Sequence, residues 1–336
     1  MQYLDAVTHF FPKPFFDKLL ASPGSVSDIG KRMRGVPSVY DLDVRLKVCD
    51  RFPAYRQILS LGMPPLEVLA GPAEALDFAR VANDGFAELV ARHPDRFAGY
   101  LAGVALNAPE AAAREAERAF RSGANGLQLH TNVNGISIAD PRFHPVFEVA
   151  QKFDKPVLLH PARRPETPDL AGEKMSRYEI WAIFGWPYET TAVMTHMVFS
   201  GFLDKFPKLK LLVHHMGAMV PFFEGRIRHG WATLGTRTAS ADPDVVPRPL
   251  ARPLMDYFRS FYADTALAGS RAGIACGLEF FAVDHVLFAS DCPFDAEGGA
   301  LYIQETIAAL ESLDLAPADR DRICHGNAEQ LFGIKS

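Results

Sequence analysis

The chain has 336 residues, of which 48% are hydrophobic and 22% charged, and this composition is that of an ordinary soluble globular protein rather than a disordered one. Its net charge of −5 provides no basic surface field, so nucleic acid and an anionic membrane are poor partners and a small molecule is a better one. We find no secretory signal, no transmembrane stretch and no cysteine pairing pattern, and we therefore expect a reducing, cytoplasmic location.

In chain order, short apolar strands alternate with amphipathic helices. The predicted strands are 3–9, 56–61, 97–104, 125–130, 156–160, 209–214, 261–264 and 286–290. The predicted helices between and after them are 15–20, 41–51, 73–92, 109–122, 141–153, 189–206, 220–233, 269–278, 304–313 and 317–332. The chain has no internal repeat, no linker and no glycine-rich phosphate loop after the first strand. This α/β pattern favours a single distorted (β/α)8 TIM barrel, with extra loops and C-terminal helices, spanning residues 1–336 as one domain.

Several predicted strands end in a side chain that can bind a metal or transfer a proton. The segment VLFASDCPF (286–294) ends a buried strand at Asp291, KPVLLHP (155–161) ends one at His160, and the first strand ends at His9. Because the carboxyl ends of barrel strands meet at one face, we expect these three side chains to share a site. Imidazole and carboxylate groups with one open position suit a catalytic divalent ion, so His9, His160 and Asp291 are the predicted metal ligands.

The segment LKLLVHHMG (209–217) carries two adjacent histidines at another strand end. Imidazole titrates near neutral pH, and we predict that His215 faces the site and transfers protons, with Asp291 as the second catalytic group. Since neighbouring strand residues point to opposite faces, His214 is expected to point away and to have a structural role. His130, which ends the fourth strand, is expected to line the pocket.

Two long excursions provide candidate substrate-binding residues. Residues 21–39 are rich in Gly, Ser, Pro and Arg, and include Arg34; they form either an ordered cover over the active-site face or a solvated basic loop. Residues 162–186 contain Arg163, whose planar guanidinium suits a substrate carboxylate, and Trp186, which suits an aromatic wall. A surface ion pair is the alternative for Arg163. Cys292, beside Asp291, is expected to be a packing thiol rather than a nucleophile.

Taken together, the segments 5–12, 156–161, 206–217, 225–227, 289–294 and 326–328 resemble the amidohydrolase superfamily. The resemblance is to the branch of aminocarboxymuconate-semialdehyde decarboxylase and γ-resorcylate decarboxylase, and it covers nearly the whole chain. It implies a distorted barrel, one divalent ion with His160 and Asp291 among its ligands, and His215 in the place of the acid/base histidine. It also implies a homodimer in which a partner arginine reaches the site.

The chain departs from that branch at the first strand. Relatives open with His-x-His or Glu-x-His, in which both residues bind the metal, and here the first of the two positions is Val7. Asp5 lies on the same strand face but about 6–7 Å further back, so it could replace the ligand only if the backbone adjusted. Recruitment of His130 or His215, weaker binding by three ligands, and a metal-free site remain open. If an ion binds, zinc is expected first and manganese second.

These observations predict a metal-dependent decarboxylase that acts on a small aromatic or unsaturated carboxylic acid. The same groups could activate water instead, so a metal-dependent hydrolase of an ester, lactone, amide or C–C bond is the alternative enzyme. A barrel that binds a small acid without catalysis is the alternative outside enzymes, and Val7 is its one supporting feature.

Overall fold

The structure is a computed structural model that describes residues 1–22, 28–237 and 249–335. Its parallel strands run in chain order around one eight-stranded sheet, and a small antiparallel hairpin, β5–β6, lies outside it. The strands are β1 (Tyr3–His9), β2 (Tyr55–Ser60), β3 (Phe97–Gly103), β4 (Gly126–His130), β5 (Asn132–Val133), β6 (Ile136–Ser137), β7 (Val157–His160), β8 (Leu211–Val213), β9 (Tyr262–Asp264) and β10 (Val286–Leu287). The first and last strands meet through backbone hydrogen bonds from Ala6 N to Phe288 O and from His9 N to Cys292 O, which close the barrel.

The predicted eight-stranded parallel α/β barrel is therefore confirmed, although β8 and β10 end earlier than predicted. After β8 the backbone turns into the left-handed region at His215 (φ +58°), and a ladder cannot continue through that conformation. After β10 the N–H groups of Phe288, Ala289 and Ser290 donate to Ile323 O, Thr265 Oγ1 and Asp5 Oδ1 instead of continuing the ladder. The hairpin β5–β6 was not predicted. Its turn is Asn134-Gly135, with φ +49° and +85°, which is the common two-residue signal for such a hairpin.

Helices follow most of the strands and cover the outside of the barrel. They are α1 (Lys13–Ala21), α2 (Asp28–Arg34), α3 (Leu42–Cys49), α4 (Leu66–Leu69), α5 (Pro72–Arg92), α6 (Pro109–Arg121), α7 (His144–Lys152), α8 (Ile180–Ile183), α9 (Gly185–Phe199), α10 (Phe202–Lys205), α11 (Glu224–Ala232), α12 (Leu254–Arg259), α13 (Arg271–Leu278), α14 (Ala300–Glu311), α15 (Pro317–Asp321) and α16 (Asn327–Phe332). None of the helices in the described part of the chain combines the length and apolarity that a bilayer crossing requires.

The predicted helices agree with these in place but not always in extent. The single helix predicted for 317–332 is α15, a π-helical turn at Arg322–Gly326 and α16. The excursion predicted for 21–39 contains α2, and its residues 23–27 lie outside the described residues, as do residues 243–248 of the predicted loop 243–253. Helix α3 begins where the Asp41 carboxylate accepts a hydrogen bond from Val44 N at 3.1 Å, an ordinary N-cap.

The barrel interior is filled by apolar side chains below the level of the strand ends. One layer consists of fully buried residues from successive strands: Ile58, Leu101, Leu158, Leu212 and Leu287. At the amino-terminal end of the strands, Leu331 and Phe332 of α16 pack against this layer. Because side chains alternate along a strand, residues two positions after this layer also face the interior, and His160 and His214 hold that position.

Candidate metal centre and active site

The strand register places four polar side chains at one level at the carboxyl end of the barrel. His130 of β4 is paired directly with His160 of β7. Leu159 pairs with Val213, and Val213 with Ala263, so the next residues along these strands, His160, His214 and Asp264, are also neighbours. A row of polar side chains thus crosses β4, β7, β8 and β9 directly above the apolar interior.

Four side chains converge there on a common point. His9, His160, His214 and Asp291 each offer one nitrogen or oxygen, and these atoms all lie within 4.8 Å of one another. Asp291 Oδ1 is 3.1 Å from His9 Nε2 and 3.6 Å from His214 Nε2. All three of these atoms are buried and lack a hydrogen-bond partner. Buried polar atoms are rarely left unpaired, so the arrangement requires a further group between them.

Hydrogen bonds at the Nδ1 atoms, on the side away from the centre, fix the orientations of the imidazole rings. His9 Nδ1 bonds to the carbonyl oxygen of Leu61 at 3.0 Å, and His160 Nδ1 bonds to that of Pro161 at 2.8 Å. A carbonyl oxygen only accepts, so both Nδ1 atoms carry the proton and both Nε2 lone pairs face the centre. His214 Nδ1 is held in the same way, at 2.6 Å, by the carboxylate of Asp264. This is the usual support for histidines that bind a metal.

The donor set fits a divalent ion. With bonds of about 2.1 Å, neighbouring ligand atoms are separated by about 3.0–3.4 Å, and the His9–Asp291 distance of 3.1 Å lies in that range. Imidazole nitrogen with one carboxylate oxygen suits zinc, and a carboxylate also suits manganese. The three ligands predicted from the sequence, His9, His160 and Asp291, are brought together by the structure.

The residues at the start of β1 do not join this set. Val7 is fully buried among the apolar residues of the barrel interior. Asp5 accepts hydrogen bonds from Tyr55 Oη at 2.6 Å and from Ser290 N at 3.1 Å, and also from Ser290 Oγ. Burial raises the pKa of Asp5 to about 7 despite these bonds. Its carboxylate is engaged by these donors and is not one of the groups that meet at the centre.

The prediction that His214 points away from the site is wrong. β8 ends at Val213, and His214 keeps the inward direction of Leu212, two residues earlier. His215 follows in the left-handed turn, and its ring centroid is 3.8 Å from that of His214. Its backbone N–H donates to Asp264 Oδ1 at 3.0 Å. Its Nδ1 is buried without a hydrogen-bond partner. His215 therefore lies beside the cluster rather than in it.

The electrostatics of the cluster favour a positive charge at its centre. Burial alone would raise the pKa of Asp291, but the imidazoles of His214 and His9 beside it outweigh burial and hold that pKa well below its usual range. Burial lowers the pKa of His214, yet the carboxylates of Asp264 and Asp291 raise it to about 10. Burial and neighbouring histidines keep the pKa of His160 well below its usual value, so that this imidazole is neutral and able to bind a metal.

A small aromatic cavity lies over the cluster. His160 and Asp291 of the cluster form its floor. The other lining residues are Arg32, Met33, Met63, Trp181, Trp186 and Phe294. The Arg32 guanidinium stands 5.2 Å from the Phe294 ring centroid and donates from Nη2 to Phe294 O at 3.0 Å. The cavity volume of about 20 Å³ is room for about one water molecule, so a larger ligand requires the side chains that line the cavity to move apart.

Of the four predicted substrate-binding residues, Trp186 lines the aromatic cavity, and the other three do not. Arg163 lines a neighbouring groove, and its Nη2 donates to Pro168 O at 3.0 Å. The Trp186 ring lies 6.0 Å from that of His160, and its Nε1 donates to the backbone oxygen of Arg163 at 3.0 Å. His130 is buried 5.6 Å from the His160 ring, and burial lowers its pKa to about 3. Arg34 is exposed at the end of α2 and does not line the aromatic cavity.

Cys292 has the environment of a packing thiol. It is fully buried, and Arg45 Nη1 donates to its sulfur at 3.3 Å. Burial raises its pKa to about 12, which opposes the thiolate that a nucleophile requires.

Sequence reasoning missed two residues of this site. Asp264 ends the brief apolar segment FYAD (261–264), and it carries the same signal, a polar residue closing a buried strand, that identified His160 and Asp291. Arg32 lies in the basic excursion 21–39, in which only Arg34 is predicted to bind substrate. Nothing in its local sequence separates it from its neighbours Lys31 and Arg34, because the packing of α2 over the barrel decides which of them faces inward.

Comparison with known proteins finds a matching family model and relatives that are named as decarboxylases. The amidohydrolase family model matches residues 22–334. The γ-resorcylate decarboxylase of a Polaromonas species is 31% identical over 301 residues, covering 87% of this chain and 87% of that protein. The 2-amino-3-carboxymuconate-6-semialdehyde decarboxylase of Dictyostelium discoideum is 28% identical, covering 91% of this chain and 80% of that protein.

Solved structures agree in fold over the whole chain. The 5-carboxyvanillate decarboxylase of Sphingomonas paucimobilis has a TM-score of 0.82 and 26% identity, covering 99% of both chains. A dihydroxybenzoic acid decarboxylase from a Polaromonas species, with bound manganese and the inhibitor 2-nitroresorcinol, has a TM-score of 0.78 and 27% identity, covering 99% of this chain and 97% of that one. A structural relative with bound manganese and the convergent donor atoms found here together support a divalent ion. The chain belongs to the amidohydrolase family.

Proposed function

We propose that this protein is a metal-dependent, non-oxidative decarboxylase of a small aromatic carboxylic acid. The observation that carries the proposal is the convergence of His9, His160 and Asp291 under an aromatic cavity that also contains an arginine. Relatives named as decarboxylases of γ-resorcylate, carboxyvanillate and aminocarboxymuconate semialdehyde support the reaction type. The proposal names the class of acid, and assays with a panel of acids identify the individual substrate.

The chain's own residues supply binding and proton transfer. His9, His160 and Asp291 hold the ion, which when bound supplies a Lewis acid for an oxygen of the substrate. Zinc suits the imidazole-rich set, as the sequence predicts, and manganese is the alternative. Trp186 and Phe294 line the cavity, so an aromatic ring that enters after the cavity has widened would lie beside them, and Arg32 places its positive charge at the same cavity. A guanidinium there can bind the carboxylate through paired hydrogen bonds.

Decarboxylation breaks the bond between ring carbon and carboxyl carbon, leaves the electron pair on the ring, and adds one proton to that carbon as carbon dioxide departs. His215 is the preferred proton-transfer residue, because its ring lies against the cluster and its Nδ1 has no hydrogen-bond partner. Burial lowers its pKa to about 3, so the neutral imidazole would relay to the ring carbon a proton taken up from water or from the acidic group of the substrate. Asp291 is the second catalytic group by position, but its Oδ1 faces His9 and His214. Because the cavity is small, the substrate can enter only after the side chains that line it have moved apart.

The reaction is tested with purified protein and a panel of hydroxybenzoic acids that includes 2,6-dihydroxybenzoate and 5-carboxyvanillate. We expect carbon dioxide release and, in deuterium oxide, one deuterium on the ring carbon that carried the carboxylate. His215→Asn serves as the catalytic control. Incorporation of solvent ¹⁸O into the product of an ester, lactone or amide substrate, without carbon dioxide, would instead establish the hydrolase.

We also propose that the chain forms one domain and acts as a homodimer in a reducing compartment. Several large apolar side chains are exposed in the region after β7 and near α11: Ile183, Phe184, Tyr188, Phe222 and Phe223. Such side chains are typical of an interface, which supports a dimer. The four cysteines are free and therefore compatible with a reducing cytoplasm. Light scattering of the purified protein tests the dimer, and a monomer at micromolar concentration would contradict it.

A further inference from the structure

His214 has the position of a metal ligand, and its Nε2 points at the place where the donor atoms of His9, His160 and Asp291 meet. Its side chain is fully buried, and the register places it beside His160, whose ring centroid is 5.2 Å away. Its Nε2 is 3.6 Å from Asp291 Oδ1 and has no hydrogen-bond partner. A distance of 3.6 Å is too long for a hydrogen bond and is slightly longer than the separation of about 3.0–3.4 Å between neighbouring ligands of one ion, so a small shift of either side chain brings both atoms to the same ion.

Asp264 fixes the orientation of this imidazole. One carboxylate oxygen accepts from His214 Nδ1 at 2.6 Å. The other accepts from the backbone N–H of His215 at 3.0 Å and of Ala266 at 3.1 Å, so the carboxylate itself cannot rotate. Both residues are fully buried. A carboxylate behind a histidine holds the ring and makes its opposite nitrogen a stronger donor, more so than the carbonyl groups behind His9 and His160.

The first strand supplies only one ligand, so the set predicted from the sequence has three members, and a fourth protein ligand would have to come from another strand end. Val7 has no donor atom, and Asp5 is engaged by Tyr55 and Ser290. A catalytic ion ordinarily has at least three protein ligands, and buried sites gain affinity from each one. In this chain β8 carries a correctly oriented imidazole at the point where His9, His160 and Asp291 meet.

We propose that His214 is the fourth protein ligand of the divalent ion and that Asp264 is its positioning residue. The ligand set is then three imidazoles and one carboxylate, drawn from β1, β7, β8 and the segment after β10. This inference rests on the metal centre of the proposed function but not on the reaction that the centre catalyses. It also separates the two adjacent histidines: His214 binds the ion, and His215 is left for the substrate.

The test is metal binding by His214→Ala, with His215→Ala as the matched control from the adjacent position. Each protein is stripped with chelator and titrated with Zn²⁺ and Co²⁺ against a chelator of known affinity. The visible absorption of bound Co²⁺ reports the donor set, and circular dichroism confirms that each variant is folded. We expect at least a 100-fold loss of affinity and an altered Co²⁺ spectrum for His214→Ala, and a change of less than about threefold for His215→Ala.

Asp264→Asn provides a second measurement, because it keeps the size of the side chain and removes its charge. We expect about a 10- to 100-fold loss of affinity with the same number of ions bound, which is the effect of removing an orienting carboxylate. If His214→Ala does not fold, this variant and His214→Gln decide the question.

The proposal is overturned if His214→Ala binds Zn²⁺ within about threefold of the wild type, or if His215→Ala loses as much affinity as His214→Ala. It is also overturned if the wild-type protein takes up no ion. A wild-type protein that binds one ion through His214 but releases no carbon dioxide from any acid would leave this inference standing and remove the proposed reaction.

Discussion

Replacing Arg32 by glutamine tests which arginine binds the substrate carboxylate. Arg32 lines the cavity over the cluster, and one of its five N–H donors is used by Phe294 O at 3.0 Å. Arg163 lies in the neighbouring groove, with its Nη2 on Pro168 O at 3.0 Å. We therefore expect Arg32→Gln to weaken substrate binding and Arg163→Gln, which removes the same charge, to leave it nearly unchanged.

The magnitude follows from the contacts that would be lost. A hydrogen bond to a charged group contributes about 1.5–3 kcal/mol, and the exposure of Arg32 to solvent argues for the lower part of that range. A loss of about 1.5–2 kcal/mol corresponds to a 10- to 30-fold increase in KM. Because the carboxylate is bound before and during the reaction, kcat should change much less than KM.

Steady-state measurement of carbon dioxide release against substrate concentration decides between the two arginines. Metal content is measured for both variants, so that a change in the ion is not mistaken for a change in substrate binding. An unchanged KM in Arg32→Gln, or an equal increase in Arg163→Gln, would refute the assignment of the carboxylate to Arg32.

Three further predictions concern proton transfer, pH and packing. His215→Asn should lower kcat by about 10²–10⁴-fold while the protein keeps its metal; a smaller loss, seen by carbon dioxide assay, would remove His215 from proton transfer. Burial raises the pKa of Glu67 from 4.5 to about 7, so the folded state retains a proton that the unfolded chain has lost, and stability falls as pH rises through this window. Urea unfolding at pH 5 and pH 8 should show that the stability of Glu67→Gln falls by about 2.5 kcal/mol less than that of the wild type, and an equal pH dependence of the two proteins would contradict it. In Gly85→Ala the new Cβ would lie 2.5 Å from Pro12 Cβ, so thermal unfolding should show a loss of about 1–3 kcal/mol, and an unchanged Tm would contradict the packing of α1 on α5.

The barrel could be predicted from sequence because each strand carries a local signal. Apolar runs such as those before His160 and Asp291 are long enough to be buried, and proline follows each within two residues, at Pro161 and Pro293. Both features are visible in a few consecutive residues and do not depend on contacts between distant segments. The level at which the side chains meet follows from parallel register, so His9, His160 and Asp291 could be grouped before any coordinates were known.

The two adjacent histidines show where local signals end. The alternation of side chains requires that His214 and His215 face different ways, but it does not say which one faces inward. Leu212 decides this, because it lies in the apolar interior layer and His214 is two residues beyond it. The turn at His215, with φ +58°, ends the alternation, and hydrophobic periodicity contains no information about such a turn.

The substrate-facing arginines depend on tertiary packing. Arg32 and Arg163 both lie in irregular excursions rich in Gly or Pro, and both follow a barrel strand in the sequence. Only the way α2 lies over the strand ends brings Arg32 to the cavity, while Gly185 allows the Arg163 side chain to pack closely against α9: a Cβ at Gly185 would lie 2.3 Å from Arg163 Cδ. Contacts of this kind are formed between segments far apart in sequence.

The most direct test is carbon dioxide release from a hydroxybenzoic acid by protein that has been stripped of metal and then titrated with Zn²⁺ or Mn²⁺. We expect no activity in the stripped protein and a linear recovery that reaches its maximum near one equivalent of ion per chain, which also identifies the preferred metal. Full activity in the stripped protein, with metal absent by elemental mass spectrometry, would contradict a metal centre formed by His9, His160, His214 and Asp291.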